Sequence, residues 1–130
     1  MAGIITVLLQ SFGRKYGIPS ADAVFDVRCL ENPYWEPSLR EKSGLDREVH
    51  DYIFENESSL AFARTLADLL CRQATLAQAR GCETLQIAVG CTGGRHRSVA
   101  VAAFLAQELE ESGIRAIVSH RDIGREGTQE

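Results

Sequence analysis

The sequence predicts an α/β fold, a small and mostly parallel sheet of about four strands with helices packed on it. Short apolar, β-branched runs alternate with longer stretches in which apolar residues recur every three or four positions, which gives the element order β-β-α-α-β-α-β. The final strand, helix and strand imply a right-handed parallel crossover. Because no repeat or linker interrupts the chain, we predict one domain over residues 1–130.

The composition is that of an ordinary globular domain, with 130 residues, of which 45% are hydrophobic and 25% charged. The net charge of −4 gives no bulk attraction to nucleic acid, although an acidic protein can still carry a local basic face. The four cysteines form no CxxC pair and no zinc-type spacing, so we expect reduced thiols and no metal site. The N-terminal apolar run is too short for a secretory signal or a membrane span, and we expect a cytoplasmic protein without a membrane partner.

The N-terminal part begins with two predicted strands. The run Gly3–Gln10 is β-branched and apolar, which is typical of a strand buried on both faces. The loop Ser11–Pro19 has two glycines, a proline and two cations, and is either a surface connection or a second edge of a functional site. The segment Asp22–Arg28 alternates like a strand, with Val24 and Phe25 expected to face inward.

Asp26 lies in this second strand, where a buried carboxylate is costly unless it has a partner. Two roles are open. The carboxylate can accept from a loop N–H or pair with an arginine for a structural reason, or it can face a hydroxyl or amine of a ligand from the end of the strand.

A long irregular loop follows over residues 29–43. Its prolines exclude a regular element of any length, and Tyr34 and Trp35 give it an aromatic pair. A loop of this length in a small domain is often a lid or a binding loop. A short helix is expected after it with Asp46 as the N-cap, and His50 is expected to be a solvated residue of that helix.

Two longer helices and a last strand complete the predicted domain. Apolar residues at spacings of three and four predict helices over Glu57–Arg80 and Ser98–Ser112, each followed by a glycine that can end it. The apolar run over residues 114–119 predicts the last strand. The polar tail 124–130 is expected to be frayed.

The most informative stretch is the glycine-rich loop Gly90–Arg97, which joins a predicted buried strand, Thr84–Val89, to the last helix. The N–H groups at a helix N-terminus and the helix dipole favour an anion there, and glycines let the backbone approach it. A tight connection without a ligand is the alternative, but the donors crowded around the glycines favour a phosphate site. These donors are Thr92, Arg95, His96, Arg97 and Ser98.

The topology gathers the polar segments at one edge. In parallel sheets ligands bind beyond the carboxyl ends of the strands. If the second strand runs parallel to the others, Asp26–Arg28, Gly90–Arg97 and His120–Arg121 lie along the same edge. This convergence is the main structural argument for a site.

The glycine-rich loop also contains the spacing C-x5-R, from Cys91 to Arg97, followed by Ser98. Cysteine-dependent phosphatases use this arrangement, in which a thiolate attacks phosphorus and the arginine holds the phosphate oxygens. Such an enzyme also needs a general acid. The candidates for it are Asp26, Asp46 and Asp122. The other interpretation is a loop that binds a phosphate ester and releases it unchanged. The sequence contains no nucleotide-binding motif of the form GxxxxGK[ST]. We expect no cofactor.

Four segments together resemble one known family, the C-terminal domain of the RapZ RNase adapter proteins, some of which are named P-loop nucleotide-binding proteins. These segments are SFGRKYGIP (11–19), DAVFDVRCLENPYWEPSLREKSGLD (22–46), VGCTGGRHRSV (89–99) and SHRD (119–122). The resemblance covers nearly the whole chain. It is more specific than the C-x5-R spacing.

In that family an N-terminal Walker-type ATPase domain is joined to this C-terminal domain. The C-terminal domain binds glucosamine-6-phosphate. In enterobacteria it also binds a small regulatory RNA, which it presents to an endoribonuclease. The resemblance therefore implies a regulatory phosphosugar sensor in which Asp26 faces the sugar and Cys91 has a packing role rather than a catalytic one. The implied ligand-binding residues are Cys91, Thr92, Gly93, Gly94, His96, Arg97, Ser98, Asp26, Arg28 and Tyr34.

Three features depart from the family pattern. The ATPase half is absent from this sequence, so we assign no nucleotide hydrolysis to it, and a separate ATPase or another partner protein is among the expected partners. Tyr34 stands where enterobacterial members carry a histidine beside the ligand. The tail lacks the lysine and arginine density of the RNA-presenting members, so RNA binding would rest on few phosphate contacts. The residues expected to make them are Arg14, Lys15, Arg95, Arg121 and Arg125. A homo-oligomer is compatible with these features.

Overall fold

Within residues 4–125, four strands and three α-helices follow one another in the predicted order β-β-α-α-β-α-β. The structure, a computed structural model, describes residues 4–125. The elements are β1 (Thr6–Gly13), β2 (Ala23–Asp26), α1 (Arg47–Phe54), α2 (Glu57–Ala79), β3 (Thr84–Cys91), α3 (Arg97–Glu111) and β4 (Arg115–His120). Single turns of 3-10 helix interrupt the loops at Arg14–Tyr16, Pro33–Trp35 and Pro37–Leu39. Over the described residues, no helix is both long and apolar enough to cross a membrane.

The strands form one parallel sheet in the order β2-β3-β1-β4, which confirms the predicted α/β class. The register places Gly13 opposite Cys91, Asp26 opposite Gly90, and Ser11 opposite His120. All four strands therefore end at the same edge of the sheet, which we call the carboxyl edge. β2 is parallel to β3, as the predicted convergence required. The segments Asp26–Arg28, Gly90–Arg97 and His120–Arg121 therefore all lie at this edge.

The handedness of parallel crossovers explains which face of the sheet the helices cover. The connections from β2 to β3 and from β3 to β4 run in one direction across the sheet, through α1, α2 and α3. The connection from β1 to β2 runs back over β3, so it must cross the opposite face to remain right-handed. Ser20 and Ala21 of this connection accordingly line a cavity together with Leu8 and Gln86 of that opposite face.

The hydrophobic core lies between the sheet and the helices. Val7 and Leu9 of β1 face it, together with Leu105 and Leu109 of α3, and all four side chains are almost fully buried. The remaining core residues of the strands and long helices include Leu85, Ile87, Val89, Ala63, Leu66, Leu70, Ala74 and Val101.

The other face of the sheet is only partly covered. Leu8 and Gln10 are half-buried, and Ile117 is 49% exposed, so the prediction that the first strand is buried on both faces is wrong. Val24 is 40% exposed on this face, whereas Phe25 packs against the core. Neighbouring residues of a strand point to opposite faces, so Val24 and Phe25 cannot both face inward as predicted.

Most element boundaries agree with prediction within three residues. β1 extends to Gly13 rather than ending at Gln10, because Ser11 and Phe12 continue the pairing with β3 and are buried. Asp46 precedes α1, but its carboxylate accepts from the N–H of Ser43 at 2.8 Å instead of capping the helix. Of the predicted frayed tail, residues 126–130 lie outside the described residues.

Candidate functional site

The carboxyl edge brings together the loops after all four strands. Val27 N–H after β2 donates to the carbonyl of Gly90 at 2.8 Å, and Lys15 N–H after β1 donates to the carbonyl of Thr92 at 3.2 Å. Arg121 N–H after β4 donates to the carbonyl of Ser11 at 3.0 Å. Main-chain hydrogen bonds thus join the loop Gly90–Arg97 to the segments after β2 and β1, and join the segment after β4 to β1.

Two glycines allow the end of β1 to touch the loop Gly90–Arg97, which we call the central loop. A Cβ atom on Gly94 would lie 2.4 Å from the backbone nitrogen of Gly13, and Gly94 also has a φ of +79°. A Cβ atom on Gly13 would lie 2.5 Å from the carbonyl of Gly93. Only glycine fits either position without moving the main chain. The close packing of Gly13 against Gly93 and Gly94 therefore restrains the backbone of the central loop.

Cys91 ends β3 beneath this loop and is fully buried. Its Sγ contacts the Oγ of Ser98 at 3.2 Å and accepts from the N–H of Gly94 at 3.3 Å. Ser98 is also fully buried, in the first turn of α3. The sulfur and the hydroxyl thus join the end of the strand to the start of the helix.

Arg97 lies in the first turn of α3, and its side chain is directed toward the loop after β2. Its Nη1 donates to the carbonyl oxygen of Arg28 at 2.7 Å and approaches that of Leu30 at 3.5 Å. The residue is only 4% exposed, and its Nε is buried without a hydrogen-bond partner within residues 4–125. Arg97 therefore joins α3 to the loop that carries Arg28.

The two residues before Arg97 contact the same long loop farther along. The Nε2 of His96 lies 3.1 Å from the carbonyl oxygen of Leu39, and the ring is fully buried. The Nε of Arg95 donates to the carbonyl of Lys42 at 3.1 Å, and its Nη2 donates to that of Glu41. Three consecutive side chains that the sequence offered as anion donors thus hold carbonyl groups of residues 28–42.

Asp26 and Arg28 form a partly exposed ion pair at the end of β2. The guanidinium makes bonds of 2.6–3.0 Å to both carboxylate oxygens, and the N–H of Arg28 donates to one of them at 3.0 Å. Chiefly through the side-chain hydrogen bond from Arg28, and with a contribution from the charge of Arg14, the pKa of Asp26 is lowered to about 2. Both structural partners that the sequence left open, an N–H and an arginine, are present.

At the other end of the edge, Asp122 is a fully buried carboxylate that sequence reasoning offered only as a general acid. It accepts from the N–H of Gly13 at 2.7 Å, from Arg121 at 2.8 Å and from Arg125 at 2.8 Å. Burial alone would raise the pKa of Asp122, but these hydrogen bonds outweigh it and hold the pKa below its ordinary value. Asp122 therefore fixes the end of β1 beside the central loop.

Ser11 and His120 form a second contact that the sequence did not indicate. The Oγ of Ser11, fully buried, lies 2.7 Å from the Nδ1 of His120. Burial lowers the pKa of His120. Only the pairing register of β1 and β4 places these two residues together, because 109 positions separate them in the chain.

The remaining predicted site residues lie on the long loop and at the surface. Tyr34 is half-buried in a 3-10 turn, and Arg40 lies over its ring at 4.9 Å. Trp35 beside it is 70% exposed. Among the residues predicted to contact RNA, Lys15 is exposed and Arg14 is half-buried.

Several cavities of the described part of the chain lie away from the central loop. One of about 310 Å³ lies on the partly covered face of the sheet, lined by uncharged residues that include Leu8, Gln86 and Ile117. Other grooves follow α2 and the start of the long loop.

Comparison with known proteins gives the family. The sequence matches the family described as the RapZ C-terminal domain over residues 5–124. A nucleotide-binding protein of Carboxydothermus hydrogenoformans is 45% identical over 120 residues, which are 92% of this chain and 42% of that protein. One of Geobacillus thermodenitrificans is 47% identical over 121 residues, 92% of this chain and 40% of that protein.

A third relative, the nucleotide-binding protein of Salinispora arenicola, is 46% identical over 123 residues and is covered over 42% of its length. The chain thus spans about two fifths of the curated relatives that it matches. The strand, glycine loop and helix described above lie within the matched residues. The chain belongs to the RapZ C-terminal domain family.

Proposed function

We propose that this domain is a sensor that binds a phosphorylated metabolite at the carboxyl edge, and that the metabolite is an amino sugar phosphate such as glucosamine-6-phosphate. The observation that carries the proposal is the backbone of the loop between β3 and α3, held in place by the contact of Gly13 with Gly94. A helix N-terminus preceded by glycines is a general site for phosphate. Membership of the family supports the same conclusion.

The contacts suggest a division of roles. The side chains of Arg95, His96 and Arg97 already hold carbonyl groups, so main-chain N–H groups and the dipole of α3 would supply most of the attraction for phosphate. Asp26 remains ionised at neutral pH and would face the ammonium group of the sugar. Arg28 would then exchange part of its ion pair with Asp26 for the ligand.

Calorimetric titration tests this proposal. We expect saturable binding of glucosamine-6-phosphate, weaker binding of glucose-6-phosphate, and no heat with glucosamine alone. The substitution D26N should reduce the difference between the two sugar phosphates, because it removes the charge that favours the amine. Tight binding of AMP or ADP with no response to the amino sugar phosphate would overturn the sugar assignment, and would fit the name of the relatives better.

A cysteine-dependent phosphatase is the second candidate, and the N–H of Gly94 directed at the Sγ of Cys91 favours it. The full burial of Cys91 and the direction of Arg97 toward Arg28 argue against it, because the thiolate must reach phosphorus and the arginine its oxygens. The substitution C91S separates the two functions. If the domain is a phosphatase, C91S should abolish turnover of a phosphate ester. If the domain is a sensor, the C91S protein should retain its affinity for the sugar phosphate.

RNA binding has less support in these contacts. Arg121 and Arg125 bind the buried Asp122, and Arg95 holds two carbonyl groups, so their charges are already engaged. Arg14 and Lys15 remain the residues to test. If RNA binds through phosphate contacts, its affinity should fall steeply with salt and weaken in R14A/K15A.

A further inference from the structure

The cavity of about 310 Å³ on the partly covered face of the sheet is bounded by four separate segments of the chain, and we call it the sheet cavity. Its floor includes two neighbouring rows of paired residues from β4, β1 and β3. These rows are Ile117, Leu8 and Gln86, and next to them Ser119, Gln10 and Ala88. Its wall is the connection from β1 to β2, at Ser20 and Ala21. Residues far apart in the chain therefore meet in one place through the register of the strands.

Hydrogen bonds hold the wall of the sheet cavity against its floor. The N–H of Asp22 donates to the carbonyl of Gln86 at 2.9 Å, and the carboxylate of Asp22 accepts from the N–H of Gln86 at 2.8 Å. Ser20 and Ala21 directly precede Asp22, so they are placed beside β3. The sheet cavity is therefore part of the hydrogen-bonded fold.

Four side chains that line the sheet cavity carry polar groups that no other residue between 4 and 125 engages. They are the amides of Gln10 and Gln86 and the hydroxyls of Ser20 and Ser119. Each amide has an acceptor oxygen and two N–H donors, and each hydroxyl can donate and accept. In water these groups bind solvent, so a ligand that displaces the water must offer matching donors and acceptors.

The lining of the sheet cavity also limits the charge and the size of its occupant. Within the described residues, no charged side chain lines it. A charged ligand would lose hydration there without gaining an ionic partner, which is costly. The volume lies at the lower end of the range of about 300–1,000 Å³ that is typical of small-molecule sites. The occupant should therefore be small and uncharged.

We propose that the sheet cavity binds an uncharged, flat heterocycle that carries a donor and an acceptor side by side on its edge, as adenine does. The apolar faces of such a ring pack against Leu8, Ala88 and Ile117. The edge of the ring meets the amide of Gln10 or Gln86, because a glutamine amide can form two hydrogen bonds at once with the N6 and N7 atoms of adenine.

The sheet cavity is separate from the proposed phosphate site. Leu8 and Gln86 lie five residues before the ends of β1 and β3, at Gly13 and Cys91. At the rise of a β-strand this is about 16 Å from the carboxyl edge. Both sites can therefore be occupied at the same time, and the proposal does not depend on the sugar phosphate.

Two-dimensional NMR during a titration with adenine tests the proposal. The side-chain amide resonances of Gln10 and Gln86 should shift and saturate, together with the backbone amides of Ser20 and Ala21. Saturating glucosamine-6-phosphate should leave the affinity for adenine unchanged. The absence of saturable shifts at millimolar adenine, or shifts confined to the central loop, would overturn the proposal. Displacement of adenine by the sugar phosphate would also overturn it, because it would place both ligands in one site.

Substitution of the two glutamines tests the role of their amides. Gln86 is exposed and Gln10 is half-buried, so Q10A/Q86A should remain folded. We expect it to bind adenine about tenfold more weakly, because two neutral hydrogen bonds are lost. Q107A is the matched control, because it removes an exposed glutamine amide from α3. Equal affinities of Q10A/Q86A and Q107A for adenine would contradict recognition by the amides.

A second ligand separates hydrogen bonding from simple apolar burial. Indole has a flat double ring like that of adenine, but its edge carries a single N–H donor with no acceptor beside it. We expect indole to bind about tenfold more weakly than adenine, because it leaves the amide carbonyl or N–H without a partner. Equal binding of indole and adenine would show that the sheet cavity selects only an apolar ring, and would overturn the assignment of the ligand.

Discussion

The Nη1 of Arg97 lies 2.7 Å from the carbonyl oxygen of Arg28, so the first residue of α3 holds the loop that follows β2. Arg28 in turn binds both carboxylate oxygens of Asp26. The start of α3, where we propose that phosphate binds, and the carboxylate proposed to face the sugar are thereby connected through one loop. Ligand binding and the stability of this loop should respond together.

R97A is expected to lower the free energy of unfolding by about 2–4 kcal/mol, because it leaves buried carbonyl groups without a donor. It should also abolish sugar phosphate binding, since the loop from Arg28 to Leu30 loses its support. R97K keeps the charge but not the fork of donors, and should lie between R97A and the wild type. Urea denaturation and calorimetry measure both effects.

R72A is the control for this comparison, because Arg72 is an exposed arginine paired with Asp68. We expect R72A to change stability by less than about 0.5 kcal/mol and to leave ligand affinity unchanged. An R97A protein as stable as R72A would contradict the role assigned to Arg97.

G94A should destabilise the domain by more than about 3 kcal/mol, because the added Cβ atom meets the backbone of Gly13 at a position that is also left-handed. G81A has a similar φ of +88° but open space around the Cβ position. It should cost only the conformational strain, about 1–2 kcal/mol. Equal losses in thermal or urea denaturation would show that the contact between the two loops is unimportant.

D122N should lower stability by about 3 kcal/mol, because Arg121 and Arg125 lose a buried carboxylate. The pKa of Asp122 is lowered in the folded state, so its stabilising effect is present above about pH 4 and is lost as the pH falls through the folded pKa. The acid limb of the stability curve should therefore be flatter in D122N. An acid limb as steep as that of the wild type would contradict this role.

The pH dependence around neutrality should come in part from His120. Burial lowers its pKa, so below about pH 6.5 the unfolded chain takes up a proton that the folded chain does not. Stability should fall as the pH drops from that value, and H120N should remove this contribution. Urea midpoints measured between pH 5 and pH 8 check it, and an unchanged slope in H120N would contradict it.

The fold could be predicted because its signals are local. Apolar periodicity located α2 and α3, and Gly81 and Gly113 adopt the positive φ values that end them. The alternation of strands and helices along the chain predicted the parallel sheet. The burial of β1 and of Val24 was misjudged, because the crossover from β1 to β2 leaves part of one face open and no local pattern records which face that is.

The position of the candidate site along the chain could be predicted from the sequence more readily than the side-chain contacts around it. The glycines and the strand-to-helix change marked the central loop, but they could not indicate that Arg95, His96 and Arg97 bind carbonyl groups of residues 28–42. Those bonds depend on how a long irregular loop folds back. The contacts of Asp122 with Gly13, and of Ser11 with His120, depend in the same way on the register of distant strands.

The most direct test of the proposed sensor is to follow backbone amide resonances by two-dimensional NMR during a titration with glucosamine-6-phosphate. The account predicts that the largest shifts fall on the loop from Thr92 to Ser98 and on Asp26 and Arg28, and that they saturate. Largest shifts around the cavity lined by Leu8, Gln86 and Ile117, or no shifts at all, would contradict it.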